Sequence, residues 1–298
     1  MKSHLGQREP AREGLARINR ELCERTLHTI TGRSVMTASA VFELHKSVET
    51  LRAILRIARP ALEKPAFLKL DRLLHEYGRE PGRLRDSAAR VDTLVSLLAH
   101  FRPYPDEAAL LPARDALRCR FTVALEDFLQ RNDAQSLAAE FGAIEQQISA
   151  LELRHFSRPM LLAGIEKTYR RCRTRLLKLH AEPGTSNSHK LRRQVKYAWN
   201  QLWLIHKWGH GTFKPLLADL DRLDSLLGED SDIAVLVEAV QRHPEICCGR
   251  IRSEFIVALA EARRSALLTA SLRLAEEVFA GPPRSFGQRL RRAGGRRL

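Results

Sequence analysis

Apolar residues recur every three or four positions along most of this chain, and this spacing decides which secondary structure it can form. The clearest segment is 41–62, whose apolar residues are Val41, Leu44, Val48, Leu51, Leu55, Ala58 and Leu62. Residues spaced in this way lie on one face of an α-helix, whereas a half-buried strand alternates apolar and polar residues. Aromatic residues make up only 6% of the 298 residues, too few for a typical β-sandwich or barrel. We therefore expect an all-α protein.

Turn residues and prolines divide the chain into predicted helices. They cover 12–30, 41–62, 66–77, 84–100, 108–131 and 134–154 in the first half, and 165–180, 189–208 and 217–240 in the second. A break is predicted at GREPG (78–82), because proline and glycine usually end helices. Residues 1–10 are expected to form a loose leader.

The two halves of the chain resemble each other. Phe42 corresponds to His189 at an offset of 147 residues, and Asp86 corresponds to Asp232 at an offset of 146. Two separate segments with nearly the same offset indicate a duplicated unit. We therefore expect two antiparallel, four-helix-like bundles related by a pseudo-twofold axis.

The charge of the chain is strongly positive. It has 50 Lys and Arg against 35 Asp and Glu, a net charge of +15, and forty of its cationic residues are arginines. The planar guanidinium pairs with phosphate oxygens through two parallel hydrogen bonds. This composition favours a phosphate-rich polyanion such as nucleic acid, polyphosphate or acidic lipid. The alternative is a coding bias towards Arg whose charge only keeps the protein soluble.

Three predicted helices carry stripes of basic residues at helical spacing. The stripes are His189, Arg192, Arg193, Lys196 and Lys207; His45, Lys46, Arg52, Arg56 and Arg59; and Lys167, Arg170, Arg171, Arg173, Arg175 and Lys178. Like charges repel along a helix face, so a bound polyanion would relieve this repulsion. The alternative is an ordinary solvated helix face with salt bridges.

Patterns of enzymes, metal sites and membrane proteins are missing from the sequence. It contains no GxxxxGK, HExxH, GxSxG or CxxC pattern, so we expect no catalytic residue, cofactor or metal site. His206 and His210 have the spacing of two metal ligands but lack an evident third. Five cysteines without a CxxC pair suit a reduced cytosol. The longest stretch without a charged residue, Tyr197–His206, is too short to span a membrane.

Several segments resemble the CHAD family, the conserved histidine α-helical domain. The pattern H-x-x-R-R/K-x-V-K-x-x-W is present here as His189, Arg192, Arg193, Val195, Lys196 and Trp199. LLGEDSDIAVL (226–236) and KTYRRCRTRL (167–176) are similar to LLGxDHDLAVL and xTYRRGRRAL of that family. Similar first-half and closing segments are FELHKSVETLRAILRIARPAL (42–62), LRDSAARVDTL (84–94) and VFAGPPRSFGQRL (278–290).

The resemblance implies a CHAD domain over residues 12–290, with a basic groove or cavity between two helical bundles formed by 12–155 and 159–283. Residues 284–298 would be a basic tail that either adds electrostatic attraction or is a flexible end. The family binds inorganic polyphosphate and localises to polyphosphate granules. Some members are fused to triphosphate tunnel enzymes, but the ExExK signature of those enzymes is missing from this sequence. We therefore expect a stand-alone cytoplasmic binding module, and a homo-oligomer stays open.

The resemblance and the basic stripes together predict the ligand residues. The expected polyphosphate ligands are His189, Arg192, Arg193, Lys196, His45, Lys46, Arg52, Arg56, Arg170, Arg171 and Arg173. Asp86, Asp230 and Asp232 are expected to orient these cations, with a divalent-ion site as the alternative. The first half departs from the family pattern at Phe42, His45, Glu49 and Thr50, and Ser231 replaces a family histidine. We therefore expect the second half to contribute more to binding.

Two other functions stay open at this point. The same charge would suit a nucleic-acid-binding protein, although the sequence has no helix-turn-helix pattern and no aromatic platform for single strands. A metal-dependent phosphohydrolase would need a cluster of acidic and histidine ligands, which the sequence does not suggest. The three tryptophans are expected in the core or in the groove wall.

Overall fold

The structure, a computed structural model, contains only helices in the part of the chain that it describes. The described residues are 4–32, 36–102, 110–151, 153, 155–209, 211–247 and 252–295. Within them the chain forms ten α-helices, three short 3₁₀ helices and no β-strand. The prediction of an all-α fold is therefore confirmed.

The helices follow one another with short connections. The α-helices are α1 Ala11–Thr31, α2 Ala38–Ala58, α3 Lys64–His100, α4 Leu111–Arg131, α5 Ala134–Ser149, α6 Arg158–Ala181, α7 Thr185–Leu204, α8 Lys214–Arg242, α9 Ser253–Val278 and α10 Pro283–Gly295. The 3₁₀ helices are Arg59–Ala61, His206–Gly209 and Pro244–Cys247. Helix α5 ends five residues before the predicted end at Arg154, a residue outside the described part of the chain.

Corresponding helices pack in the same order in the two halves. In the first half, α1 contacts α2 and α5, and α3 contacts α2 and α4. In the second half, α6 contacts α7 and α10, and α8 contacts α7 and α9. The halves meet where α2 contacts α6 and α7, and where α3 contacts α8. This order agrees with an internal duplication, which stays a prediction.

Two hydrophobic cores stabilise the fold, and each contains residues from both halves. The larger core includes buried residues of α1, α2, α5, α6, α7 and α10. The smaller core joins the C-terminal parts of α3 and α8 to α4 and α9, through residues such as Leu94, Leu117, Leu236 and Ile256. The two halves are therefore held together by shared apolar burial and not only by their connection.

The predicted break at 78–82 is wrong, because α3 continues through Pro81. Proline removes one backbone hydrogen bond from a helix, which disfavours this position. Close packing against α2 compensates for that loss, since a Cβ added to Gly82 would lie 2.9 Å from Cε1 of His45. The His45 ring nitrogen Nδ1 also lies 3.2 Å from the carbonyl oxygen of Gly78 and donates to it in the matching tautomer.

The expected loose leader is also wrong for its described residues, which are attached to the end of α7. Leu5 is fully buried, and its N–H donates to the carbonyl of Leu204 at 2.8 Å. The indole N–H of Trp208 donates to the carbonyls of Leu5 and Gly6, each at 3.2 Å. Arg17 binds the carboxylate of Glu9 at 2.8 Å. Apolar burial and these polar contacts hold the segment in place.

The C-terminal segment forms a packed helix and is not a flexible end. Phe286 and Leu290 of α10 are buried, and the Phe286 ring stacks on Tyr169 of α6 with 4.3 Å between centroids. Arg296 and Arg297, which the prediction included in the tail, lie outside the described residues.

The packing of the N-terminal segment predicts that Leu5→Ala destabilises the protein. Removing this fully buried side chain should lower the free energy of unfolding by about 2–5 kcal/mol, as for other buried leucines. Leu177→Ala is the matched control, because Leu177 is 68% exposed and its truncation should change stability by less than about 0.5 kcal/mol. Urea denaturation measures both, and equal stability of the two variants would show that the segment does not contribute.

Candidate anion-binding site

Arg192 of α7 lies against α8 at the centre of the predicted site. Its Nε is 3.5 Å from Oδ1 of Asp224, and its Nη1 is 3.9 Å from Oδ1 of Asp232. The helices approach closely at Gly228, where an added Cβ would lie 3.0 Å from Nη2 of Arg192. Asp232 is thus close enough to orient Arg192, and Asp224 is a second acid that the sequence analysis missed.

The two acids lie in a poorly hydrated position beside Arg192. Burial raises the pKa of both Asp224 and Asp232, and the nearby charge of Arg192 opposes that rise. Nε of Arg192 and Oδ1 of Asp224 are both buried, and neither has a hydrogen-bond partner among the described residues. Arg192 is therefore oriented by the acids without all of its N–H donors being used.

A cavity of about 930 Å³ lies beside Arg192, between α3 and α8. Three arginines and four acids line it: Arg85, Arg192, Arg263, Asp92, Asp224, Glu229 and Asp232. Its lining is therefore not cationic overall, although the predicted ligand Arg192 is part of it.

The other predicted ligands of α7 lie nearer to solvent. Arg193 is exposed, and among the described residues no carboxylate pairs with it. Lys196 lies 3.9 Å from Oε2 of Glu49, an acid of α2 that partly compensates its charge. Nδ1 of His189 lies 3.4 Å from the hydroxyl of Ser231. Although this ring keeps solvent contact, partial burial, followed by the charges of Arg192 and Arg193, lowers the pKa of His189.

Arg52 and Arg56 of α2 are anchored by one carboxylate of α3. Nε of Arg52 donates to Oδ1 of Asp71 at 3.2 Å, and Nη2 of Arg56 donates to Oδ2 at 3.1 Å. The Arg56 guanidinium also lies over the ring of Tyr197, 4.7 Å from its centroid. These contacts fix both arginines, whose side chains are mostly buried, between α2, α3 and α7.

Arg171 of α6 extends this cationic surface towards the second half. Burial, followed by the charges of Arg59, Arg56 and Arg175, lowers the pKa of Arg171, so these three arginines act electrostatically on Arg171. Among the described residues no carboxylate forms an ion pair with Arg171. A half-buried guanidinium without a counterion is a position at which an anion is favoured.

Tyr197 connects the two groups of cations. Burial raises the pKa of its hydroxyl, and the charges of Arg56, Arg52 and Arg193 oppose that rise, so all three lie near this side chain. We give the name basic row to the cations that these electrostatic contacts link. Its members, from α6 across α2 to α7 and α3, are Arg175, Arg171, Arg59, Arg56, Arg52, Arg193, Lys196, His189, Arg192 and Arg85.

The structure does not bring every predicted residue into the basic row. Arg173 donates to the carbonyls of Ala280 and Gly281 at 3.0 and 2.8 Å and to that of Phe279, so it caps the end of α9. Its guanidinium is therefore used within the fold. Arg170 is an exposed residue 3.5 Å from Glu166. Lys46 lies 3.3 Å from Glu43, in a different cleft, between α1, α2 and α7.

Two of the three predicted orienting acids act elsewhere or are exposed. Buried Asp230 accepts from the hydroxyl of Ser188 at 2.7 Å and from Nε of Arg264 at 2.8 Å, and thereby joins α7, α8 and α9. Asp86 is half exposed and lies 3.7 Å from Nη1 of Arg85. His45 is used in the contact with α3 described above.

Several residues of the site were missed by the sequence analysis. Arg59 and Arg175 belong to the predicted basic stripes but were not chosen as ligands, and Arg85 directly precedes Asp86. Asp71, Asp224 and Tyr197 had no signal in the sequence, because only the packing of α2, α3, α7 and α8 brings them to the cations.

The remaining predictions concern metal ligands, the tryptophans and membrane-spanning helices. Among them no three His, Cys, Asp or Glu side chains form a group that could hold a metal ion. His206 contacts the carbonyl of Trp203 at 2.6 Å, and His210 lies outside the described residues. Trp208 is buried in the larger core, whereas Trp199 and Trp203 are half-buried and stack at 5.2 Å. No described helix combines the length and apolarity needed to cross a bilayer.

The chain is similar to proteins of known family and structure. The family model of the CHAD domain matches residues 8–241. The crystal structure of the CHAD domain from the plant Ricinus communis superposes with a TM-score of 0.65 and 16% sequence identity, covering 95% of this chain and 96% of that one. At this identity the superposition shows a shared fold. No curated protein matches the chain.

The His45 contact predicts a dependence of stability on pH. Burial is the largest cause of the lowered pKa of His45, so the unfolded chain binds a proton more readily than the folded one. The free energy of unfolding should therefore fall as the pH decreases below the ordinary histidine value of about 6.5. His45→Gln, which cannot be protonated there, should reduce that fall in urea denaturation between pH 7.5 and 5.5. His75→Gln on the surface is the control, and an unchanged pH dependence in His45→Gln would contradict the prediction.

Proposed function

The chain belongs to the CHAD domain family, and from this premise we propose that it binds inorganic polyphosphate along the basic row. The observation that carries the proposal is the pair Arg171 and Arg193. These two cations of the row have no carboxylate partner among the described residues, although they lie beside other arginines. A polyanion would supply the missing counter-charges.

The spacing of the row suits a chain of linked phosphates. Basic residues three or four positions apart on a helix are about 4.5–6 Å apart along its axis, and Arg52, Arg56 and Arg59 follow this spacing on α2 and its 3₁₀ extension. Each guanidinium offers a planar set of donors, and polyphosphate presents acceptor oxygens along its whole length. Several cations can therefore bind one polymer at the same time.

The acids of the site orient some cations of the basic row and leave others without a carboxylate partner among the described residues. Asp71 binds the sides of Arg52 and Arg56 that face α3, and Asp224 and Asp232 flank Arg192 from α8. Fixed guanidinium groups lose less conformational entropy when they bind an anion than free ones do. The acids thus lower the affinity through their charge and raise it through preorganisation.

The role we propose is capture of the polymer, without turnover. Such a module would act in the cytoplasm, where it would associate with polyphosphate granules. Binding should release counterions and should weaken steeply with salt, by analogy with nucleic acids. The remaining alternative partner is nucleic acid, which shares the phosphate chemistry.

Reversing two charges of the row that have no carboxylate partner among the described residues, half-buried Arg171 and exposed Arg193, tests the assignment of the row. Arg171→Glu combined with Arg193→Glu should weaken binding of long-chain polyphosphate by about tenfold or more, because two charge-assisted contacts become repulsive. The matched control reverses Arg118 on α4 and Arg252 before α9, both exposed and outside the row. Mobility-shift titrations at fixed salt measure the affinities. Equal affinity of the two double variants would reject the row as the binding surface.

Competition distinguishes polyphosphate from nucleic acid. With labelled polyphosphate bound to the wild-type protein, unlabelled polyphosphate should displace it at a lower phosphate concentration than duplex DNA or RNA. Displacement by nucleic acid at an equal or lower phosphate concentration would favour the alternative function.

The lowered pKa of His189 predicts that binding depends on pH. The groups that face this ring are Arg192, Arg193 and Lys196 of α7, Asp86 of α3 and Ser231 of α8. A bound polyanion would offset the cations and raise the pKa of His189, so binding and protonation favour each other. The affinity of the wild-type protein should increase between pH 7.5 and 5.5 more than that of His189→Gln. Fluorescence anisotropy measures it, and parallel pH profiles would contradict the prediction.

A further inference from the structure

Arg90 of α3 is a second half-buried cation without a counterion. Its Nε is buried and has no hydrogen-bond partner among the described residues, and its Nη1 is 3.5 Å from the hydroxyl of Ser87. In the part of the chain that the structure describes, no carboxylate lies within ion-pair distance of Arg90. Desolvation of an unpaired charge is unfavourable, so this position needs a compensating anion.

The predicted duplication relates Arg90 to an apolar residue of the second half. At the offset of 146 residues, Arg90 corresponds to Leu236, which is fully buried in the smaller core. An apolar residue of similar length therefore suits the equivalent position. Packing alone does not explain the arginine.

Arg90 lines a cleft of about 640 Å³ between α3, α4, α8 and the 3₁₀ helix Pro244–Cys247. Two other arginines, Arg120 and Arg242, line the same cleft. Burial, the largest cause, lowers the pKa of Arg90, and the charges of Arg120 and Arg242 lower it further, while Asp86 and Glu238 oppose this change. Three guanidinium groups thus line this cleft, together with the carboxylates of Asp127 and Glu238.

Two of these arginines pair with acids near the mouth of the cleft, and an anion can replace those acids. Arg120 pairs with Glu245 at 2.6 Å, and Arg242 pairs with Glu238 one helical turn away. Both pairs lie at the surface, where such contacts contribute little to stability. A multiply charged oxyanion can therefore replace the carboxylates.

We propose that this cleft is a second anion site, which binds a phosphate group of a small phosphorylated molecule. It is separate from the basic row, because Arg90 and Ser87 face this cleft whereas Arg85 and Ala88 of the same helix line the cavity near Arg192. The cleft is large enough for a small organic ligand, and Leu117, Val123 and Ala124 supply an apolar wall. Arg90 binds the phosphate at depth, with Arg120 and Arg242 at the mouth.

The test uses the Arg171→Glu/Arg193→Glu protein as background, so that binding to the basic row contributes little. Isothermal titration calorimetry with pyrophosphate should show one site, and adding Arg90→Leu should weaken it by about tenfold or more. Arg118→Leu in the same background is the matched control and should leave the affinity unchanged. Undiminished affinity after Arg90→Leu, or no pyrophosphate binding by the background protein, would overturn the proposal.

Further measurements keep the test independent of folding and of the proposed function. Arg90→Leu should unfold at an equal or higher urea concentration, since it removes a buried unpaired charge. If it does not fold, Arg120→Gln combined with Arg242→Gln replaces it, and unchanged pyrophosphate affinity would again overturn the proposal. Arg90→Leu in the otherwise wild-type chain should keep its affinity for long-chain polyphosphate, which separates this site from the row.

Adenosine monophosphate and inorganic phosphate identify the source of the phosphate group. Tighter binding of the nucleotide would support a phosphomonoester whose organic part uses the apolar wall. Equal binding would support a free phosphate ion. Failure of both to compete with pyrophosphate would count against the site.

Discussion

Carboxylates packed beside the arginines are the interaction on which the basic row depends. Asp71 contacts Arg52 and Arg56 together, and Asp224 and Asp232 flank Arg192. Without these acids, Arg52 and Arg56 of α2 would repel each other, and Arg192 of α7 would lack a nearby counter-charge. Because the acids come from α3 and α8, the order of the surface charges follows from the packing of those helices.

The two halves use the same helix contact for different purposes. His45 lies against Gly82, and Arg192 lies against Gly228, at offsets of 147 and 146 residues. In the first half the close approach serves the fold, because His45 contacts the backbone of α3 next to Pro81. In the second half it places Arg192 beside Asp224 and Asp232 of α8. The expectation that the second half contributes more to binding stays a prediction.

Local patterns were sufficient for most helices and for part of the site. The spacing of apolar residues predicted α2 and α7, and the basic stripes contained Arg171, Arg192 and Arg193, which we assign to the basic row. The break at Pro81 and the loose leader were wrong, and of the two alternatives for the C-terminal segment the flexible end does not apply to its described residues. Each of these segments is stabilised by contacts with residues distant in sequence, such as those of Leu5 with Leu204 and Phe286 with Tyr169.

The sequence by itself determined the all-α class, the family and the excess of arginine, because helical periodicity, motifs and charge are properties of neighbouring residues. Only the tertiary structure decided which arginines face a common surface and which are used elsewhere. Arg171 lies beside other cations, whereas Arg173, two residues away, caps α9. The physical reason is that two residues along a helix point in nearly opposite directions, and the neighbouring helices decide what each one meets.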